Sequence, residues 1–199
     1  MIETYQPSNQ LNYSHFVMEK PSNKNLLKTD TFRKCSYNDN IKIIMQDSLD
    51  SGIAEAATLE RKRAPILIHS SFEETPQRFV NCLDLNTYVR PHVHVVPKQW
   101  ELMCWLSGEI VVYLFDDSGV ITSKFLMNEE NARIIEIPPF RYHAFIATKK
   151  SSYLEIRNGH FTGTSDRIYA PWAPAENSIE VADYQKRFSI AQVGDRLTL

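Results

Sequence analysis

The sequence predicts a mainly β domain, a sandwich or barrel of the jelly-roll kind, and three observations carry that prediction. Strand-like runs recur every 8–12 residues or so from Thr87 to Asn158. Turn residues separate them at Pro97, Gly108, Asp116-Asp117-Ser118-Gly119, Pro138-Pro139 and Lys149–Ser152. His92, His94, Glu101 and His143 fall on three of the runs, as a site at the mouth of a small barrel requires.

Residues 1–40 are polar, with Asn, Ser and Lys scattered and no sustained apolar period. They read as an N-terminal extension, and residues 41–199 as the domain itself. Ile41–Met45 is apolar enough for a short strand. Ser48–Arg61 places Leu49, Ile53, Ala56, Ala57 and Leu59 at roughly helical spacing. Pro65–His69 reads as a strand. Thr75-Pro76 offers a helix N-cap followed by a residue suited to the first helical position, which predicts a short helix ending near Leu83.

The β region is expected as runs at Thr87–His94, Trp100–Ser107, Glu109–Phe115, Val120–Met127, Ala132–Ile137, His143–Ala147 and Tyr153–Asn158. Between Phe115 and Val120, Gly119 can take the positive φ that a tight hairpin needs. After Gly159 comes Ala170-Pro171-Trp172-Ala173-Pro174-Ala175-Glu176, then a closing helix over Ser178–Phe188.

Composition sets aside several function classes. The net charge of -2 gives no basic field for nucleic acid or an anionic membrane. No apolar run approaches the roughly 20 residues of a membrane span. The opening residues lack a basic region followed by an apolar one, so no secretory signal is expected. Cys35, Cys82 and Cys104 are odd in number and share no CxxC spacing, which reads as reduced thiols in a cytoplasmic protein. No GxGxxG, GxxxxGK[ST], GxSxG or HExxH motif occurs, so nucleotide-fold and serine-hydrolase readings lack support.

The chemistry concentrates in His92-Val93-His94, Glu101, Gly108 and His143. In a strand, residues i and i+2 face the same side, so His92 and His94 can grip one ion together. Three imidazoles and one carboxylate bind a divalent transition metal and leave positions open for water or substrate. Iron, zinc, manganese, nickel and cobalt all suit such a set.

These residues resemble the two motifs of the cupin superfamily. The first runs His-x-His, a short gap, Glu, six residues, Gly; the chain has His92, His94, Glu101 and Gly108. The gap before Glu101 is longer by two or three residues, consistent with a loop insertion at Val95–Lys98, and Gln99 is the competing ligand. The second motif runs Pro-x-Gly, two residues, His, three residues, Asn; the chain has Pro138, Phe140, His143 and Ala147. Phe140 and Ala147 depart from it at positions that are not ligands.

Further segments are similar to the WbuC-type cupin metalloproteins: Arg61–Pro65, His69, Pro76–Arg78, Tyr88–His92, Trp100–Leu102, Leu114–Asp117, Pro138–His143 and Ala170–Glu176. The resemblance covers roughly residues 41–190. It implies a single cupin jelly-roll barrel, with short N-terminal helices and a C-terminal helical tail, holding one metal on His92, His94, Glu101 and His143. It also implies a setting in surface-polysaccharide biosynthesis. Cupin barrels commonly pair through edge strands, so a homodimer is expected.

Strand parity puts Tyr88 and Arg90 on the face of the two histidines. A phenol usable as an acid and a fixed cation for an anionic group would then stand beside the metal as catalytic residues. Glu155 and Arg157 alternate on the last run and either pair with each other or enter the pocket. Arg61 and Arg63 read as a solvated basic end, and His69 and His160 carry no expected metal role. The expected partner is a small-molecule substrate, with no nucleic acid and no membrane. The residues are compatible with a metal-dependent isomerase or epimerase on a sugar or sugar nucleotide, an iron dioxygenase, a non-catalytic binding domain, or a metal-free epimerase.

Overall fold

The structure, a computed structural model, describes residues 42–85, 87–160 and 167–198. The expected extension over residues 1–40 and the Cys35 thiol lie outside the described residues. The described residues form a mainly β jelly-roll barrel of two antiparallel five-stranded sheets, with one helix before it and one after.

The first helix, α1 (Gln46–Thr58), buries Leu49, Gly52 and Ala56, one stripe at helical spacing. It packs with Ile66, Val80 and Cys82 of the neighbouring sheet. Gly52 is required by that contact, because a Cβ there would stand 2.5 Å from Cys82 Sγ. Among the described residues no strand precedes α1: residues 42–45 carry no regular structure and lead straight into the helix.

The first sheet runs β1 (Arg63–Leu67), β2 (Gln77–Leu83), β9 (Ser151–Arg157), β4 (Glu101–Ser107) and β7 (Ile134–Ile137) in spatial order. Pro65 is tolerated in β1 because that strand is an edge. The helix expected after Thr75-Pro76 is instead strand β2. Its side chains alternate, with Gln77, Phe79 and Asn81 to one side and Val80 and Cys82 to the other, under α1. Pairing to β9 along its whole length and to β1 from Phe79 to Leu83 outweighs the local helix-start signal.

The second sheet runs β10 (Arg167–Tyr169), β3 (His92–His94), β8 (Tyr142–Ala147), β5 (Ile110–Phe115) and β6 (Ile121–Met127). The run expected from Thr87 shrinks to His92–His94, since residues 87–91 join no ladder. β10 was not expected; it is three residues long and pairs with β3.

Between the sheets, Met103, Ile110, Val112, Met127 and Phe145 form a dry core. A second core lies where the C-terminal segment crosses the other sheet. There α2 (Val181–Ile190) buries Tyr184 and Phe188 against Tyr113 and Phe115, and Trp172 packs on Phe115 and Tyr142 at ring distances of 5.1 and 5.9 Å. Gly108 closes the β4–β5 turn at φ 79; a Cβ there would meet the Lys150 carbonyl at 2.2 Å. The hairpin at Asp116–Gly119 forms as expected, with Gly119 at φ 85 and Asp116 Oδ1 accepting from the Ser118 and Val120 amides.

Candidate metal centre

The centre draws on both sheets. His92 and His94 come from β3, His143 from the adjacent β8, and Glu101 opens β4 on the facing sheet. All four are buried, and one potential ligand atom from each lies within 4.8 Å of the others. The His92 and His143 rings approach to 4.4 Å between centroids, as their direct cross-strand pairing predicts.

Backbone carbonyls fix two of the imidazoles. His92 Nδ1 lies 2.9 Å from the Arg90 carbonyl, and His143 Nδ1 lies 2.9 Å from the Arg141 carbonyl. A carbonyl only accepts, so both Nδ1 atoms carry the proton and both Nε2 atoms present a lone pair. This is the outer bond that orients a metal-binding histidine. Glu101 Oε2 lies 3.1 Å from His94 Nε2 and 3.5 Å from His143 Nε2. His143 Nε2 is buried with no hydrogen-bond partner. A lone pair facing a carboxylate in a dry site needs a proton or a cation between them, so the donor set fits a divalent metal.

The charge states follow from the same contacts: burial would lower the His143 imidazole, but the Glu101 carboxylate beside it raises it. Burial and the neighbouring His143 and Arg167 push the His92 imidazole well down, toward its neutral, ligating form. Burial alone would raise the Glu101 carboxyl, but the His143 and His94 imidazoles set against it outweigh that and hold it well below the usual range. The carboxylate is therefore available as a ligand.

Glu101 meets His94 and His143, and Gln99 is not among the residues that line the cavity. The Gln99 side chain lies beside Gly159, 3.4 Å from where a Cβ would stand there, outside the cavity wall. The extra residues before Glu101 are taken up by the turn at Val96–Gln99, in which the Gln99 amide donates to the Val96 carbonyl. Phe140, standing where the motif has glycine, keeps the left-handed conformation at φ 63, and its amide donates to the His94 carbonyl at 2.9 Å.

A cavity of about 380 Å³ opens in front of the cluster. β2 and β9 contribute Gln77, Asn81, Tyr153, Glu155 and Arg157 to its wall. β10 contributes Arg167 and Tyr169, and Phe145 closes the inner end. Arg61 and Arg63 stand at the mouth, joined to Glu176 at 2.8 and 2.6 Å, so they are not merely a solvated end. Glu155 Oε2 accepts from Asn81 Nδ2 at 2.8 Å and from the Tyr153 hydroxyl at 3.1 Å. Burial and the nearby Glu101 charge push the Glu155 carboxyl up to about 8. His69 also lines the cavity, with its Nδ1 held by the Arg78 backbone.

Tyr88 and Arg90 do not line it, contrary to expectation. Parity fails because residues 87–91 are not a continuation of the strand. The Tyr88 hydroxyl donates to the Pro174 carbonyl at 2.9 Å, and its ring meets Tyr184 edge-on at 5.9 Å. Arg90 donates to the Ala170 carbonyl at 3.0 Å and lies over the Tyr169 ring at 5.3 Å. Its contribution to the centre is the backbone carbonyl that holds His92.

Sequence reasoning missed Arg167 and Tyr169, for which the alternation Arg167-Ile168-Tyr169 was the one signal. It left Glu155 and Arg157 open between two roles; both now line the cavity.

Residues 44–127 match a family described only as a domain of unknown function, DUF6016. No curated protein matches the chain. Among solved structures, the capsular polysaccharide assembling protein CapF from Staphylococcus aureus is similar at 14% identity and a TM-score of 0.48, over 56% of this chain and 30% of that one. A cupin superfamily protein from Desulfitobacterium hafniense aligns at 17% identity and 0.40, over 52% and 85%. The salicylate 1,2-dioxygenase of Pseudoaminobacter salicylatoxidans aligns at 11% and 0.45, over 58% and 33%. The chain spans about a third of the length of the CapF structures it matches.

Proposed function

We propose that this chain is a cupin metalloprotein that binds one divalent transition metal on His92, His94, Glu101 and His143. We further propose that it is a metal-dependent enzyme acting on a small polar molecule of sugar or sugar-nucleotide type, by isomerisation or epimerisation. The observation that carries this reading is the pair of buried imidazoles whose Nδ1 protons are tied to backbone carbonyls, which leaves both Nε2 lone pairs for a metal in a cluster whose ligand atoms, Glu101 included, lie within 4.8 Å of one another. The WbuC-type likeness and the surface-polysaccharide setting belong to this reading, as does a homodimer formed through an edge strand such as β7, where Ile134 is exposed.

A divalent metal in such a site polarises a substrate oxygen and stabilises the negative charge that grows on it. The chain's own groups do the rest. Isomerisation needs one group to deliver a proton and another, or the same one, to accept a proton back, leaving the count unchanged. Glu155 is the cavity carboxyl suited to this, because Asn81 and Tyr153 both engage Oε2 and leave Oε1 for substrate.

The test is elemental analysis of the purified protein, followed by turnover of a sugar-nucleotide panel before and after chelation. About one metal per chain, with turnover lost on stripping and restored on reloading, is the expected result. Equal turnover by loaded and stripped protein would overturn the enzymatic part. Metal content that His143→Ala leaves unchanged would overturn the site.

A further inference from the structure

One buried polar group on the cavity wall takes no part in the metal centre or in the proton transfer proposed there. Along β1, Arg63, Pro65 and Leu67 line the cavity, while Ala64 and Ile66 are buried on the other side. The alternation runs on past the end of the strand. Ile68 packs with the core under α1, and His69 turns into the cavity. His69 is only 2% exposed. Its Nε2 is buried and has no hydrogen-bond partner among the described residues. Such an atom is destabilising while it stays unpaired, and a ligand that pairs with it relieves this.

The backbone of Arg78 decides what that atom offers. The Arg78 carbonyl accepts from the Ile68 amide at 2.9 Å and from the His69 amide at 3.2 Å, which fills its two lone pairs. The Arg78 amide donates to His69 Nδ1 at 3.0 Å. Nδ1 is therefore an acceptor, although the Arg78 carbonyl also lies 2.8 Å from it, and the ring proton sits on Nε2. Burial pushes the imidazole down, so the ring is a neutral donor.

The rings beside it are apolar. His69 lies 5.8 Å from Phe72 and edge-on to Phe79 at 6.1 Å, and both phenylalanines line the cavity. The loop carrying Phe72 is pinned: Gln77 Nε2 donates to the Phe72 carbonyl at 3.1 Å, and Glu74 Oε1 accepts from the Ser70 amide at 2.8 Å. Gln77 pairs with Arg157, and Arg157 with Glu101. Two strand spacings, about 10 Å, therefore separate the Gln77 and Glu101 backbones, and His69 stands beyond Gln77 on the β1 side.

The geometry points to a second recognition point for the substrate, at which His69 Nε2–H donates to an uncharged oxygen of a hydroxylated ring whose apolar face lies against Phe72 and Phe79. A neutral donor flanked by aromatic rings matches an uncharged sugar, which carries oxygens at its edge and C–H groups on its faces; a carboxylate or phosphate is matched by a cation instead. This deepens the function proposed above and rests on it for the reaction. The reacting end of the sugar faces the metal ligands, and its far edge meets His69.

The experiment uses the full chain, zinc-loaded and metal-stripped, with metal content measured on every sample. Long-range proton–nitrogen NMR spectra of the imidazoles are recorded while methyl α-glucoside, methyl α-galactoside and methyl α-mannoside are titrated in. His69 should be the Nε2–H tautomer before addition, and at least one hexoside should bind saturably and shift Nε2. Two variants separate recognition from support. In His69→Asn the amide oxygen stands where Nδ1 does, so the Arg78 amide keeps its acceptor and only the donor to the cavity is lost. Affinity should fall about tenfold or more, with the unfolding temperature near that of the parent. In His69→Gln the amide nitrogen reaches the position of Nε2, so affinity should stay within about threefold of the parent although the Arg78 amide loses its partner. An Nδ1–H tautomer, no saturable binding of any of the three hexosides, parent affinity in His69→Asn, or an equal loss in both variants overturns this recognition point; seen in protein with full metal content, each leaves the metal reading standing. Hexoside binding that depends on His69 in protein that takes up no metal overturns the metal reading and leaves the recognition point standing.

Discussion

The two ends of the barrel use the same strands for opposite purposes. Along β4, Glu101 gives way two residues later to the fully buried Met103; along β8, His143 gives way to Phe145. At the inner end Met103, Ile110, Val112 and Met127 are close-packed and dry, and burying apolar area there stabilises the fold. At the outer end, three imidazoles and a carboxylate are equally buried, next to a carboxyl held neutral and a buried guanidinium. That arrangement costs stability, and a fold retains it only when a ligand offsets the cost. Phe145 and Tyr153, edge-on at 5.3 Å, mark the boundary between the two.

The largest effect that would sharpen this contrast comes from removing a ligand. His143→Ala should cut metal affinity by on the order of 100-fold or more, beyond the 10–100-fold typical of losing only an outer-shell bond. Metal-free His143→Ala should unfold at the same denaturant concentration as the metal-free parent, or a slightly higher one. A large loss of stability without metal would mean that the outer end is structural.

The inner end should behave in reverse. Met103→Ala should destabilise by about 2–5 kcal/mol, the range for truncating a packed core side chain, while metal content stays at its original stoichiometry. Chemical denaturation with parallel metal analysis measures both. If the metal were lost from folded Met103→Ala, the two ends would be coupled rather than separate.

Glu155 supplies a pH-dependent difference. Its carboxyl is pushed up to about 8 in the folded protein by burial and by Glu101, against the opposing pull of Arg157 and Arg167. Below about pH 4.5 it is neutral folded or unfolded, so its protonation has no effect on stability. Between there and about pH 8 the unfolded chain releases the proton and the folded one keeps it, so stability falls as pH rises, by on the order of 1 kcal/mol per pH unit at most. Above that range the loss levels off. Glu155→Gln keeps an acceptor for Asn81 and Tyr153 but cannot titrate. In metal-free protein its unfolding midpoint should therefore change less between pH 5 and pH 8 than that of the parent. Identical pH slopes would show that Glu155 is ionised throughout.

The two ends were also unequally legible in the sequence. The four centre residues could be read because two of them share a strand face and the Glu101–Gly108 spacing is intact. The strands that carry them emerge from alternation and from turns such as Asp116–Gly119. The opposite wall was harder. β2 presents Gln77, Phe79 and Asn81 to the cavity and Val80 and Cys82 to α1, so its cavity face mixes polar and apolar residues, and Thr75-Pro76 imitates a helix start. Arg167 sits on a strand of three residues, too short for their alternation to stand out, and its partner β3 is far away in sequence. Tyr88 and Arg90 were misplaced because parity holds only while a ladder continues, and that ladder starts at His92. What the local sequence does not encode is long-range pairing, and the cavity wall is built from it.

The smallest effect tests how the outer end tolerates its one left-handed non-glycine residue in the second motif. Phe140 sits at φ 63 with 60% of its surface exposed, so its ring contributes little burial to offset its backbone conformation. Holding a residue with a Cβ there costs roughly 1–2 kcal/mol, and glycine removes that cost while adding roughly 0.5–1 kcal/mol of chain entropy to lose on folding. Phe140→Gly should therefore stabilise the protein by up to about 1 kcal/mol, and Phe140→Ala should not. The amide bond to the His94 carbonyl survives in both, so metal affinity should stay at the parent value. Thermal unfolding of the two variants side by side measures the difference. A glycine variant no more stable than the alanine one would mean that the Phe140 conformation carries no strain and that its side chain is held by contacts worth more than its exposure suggests.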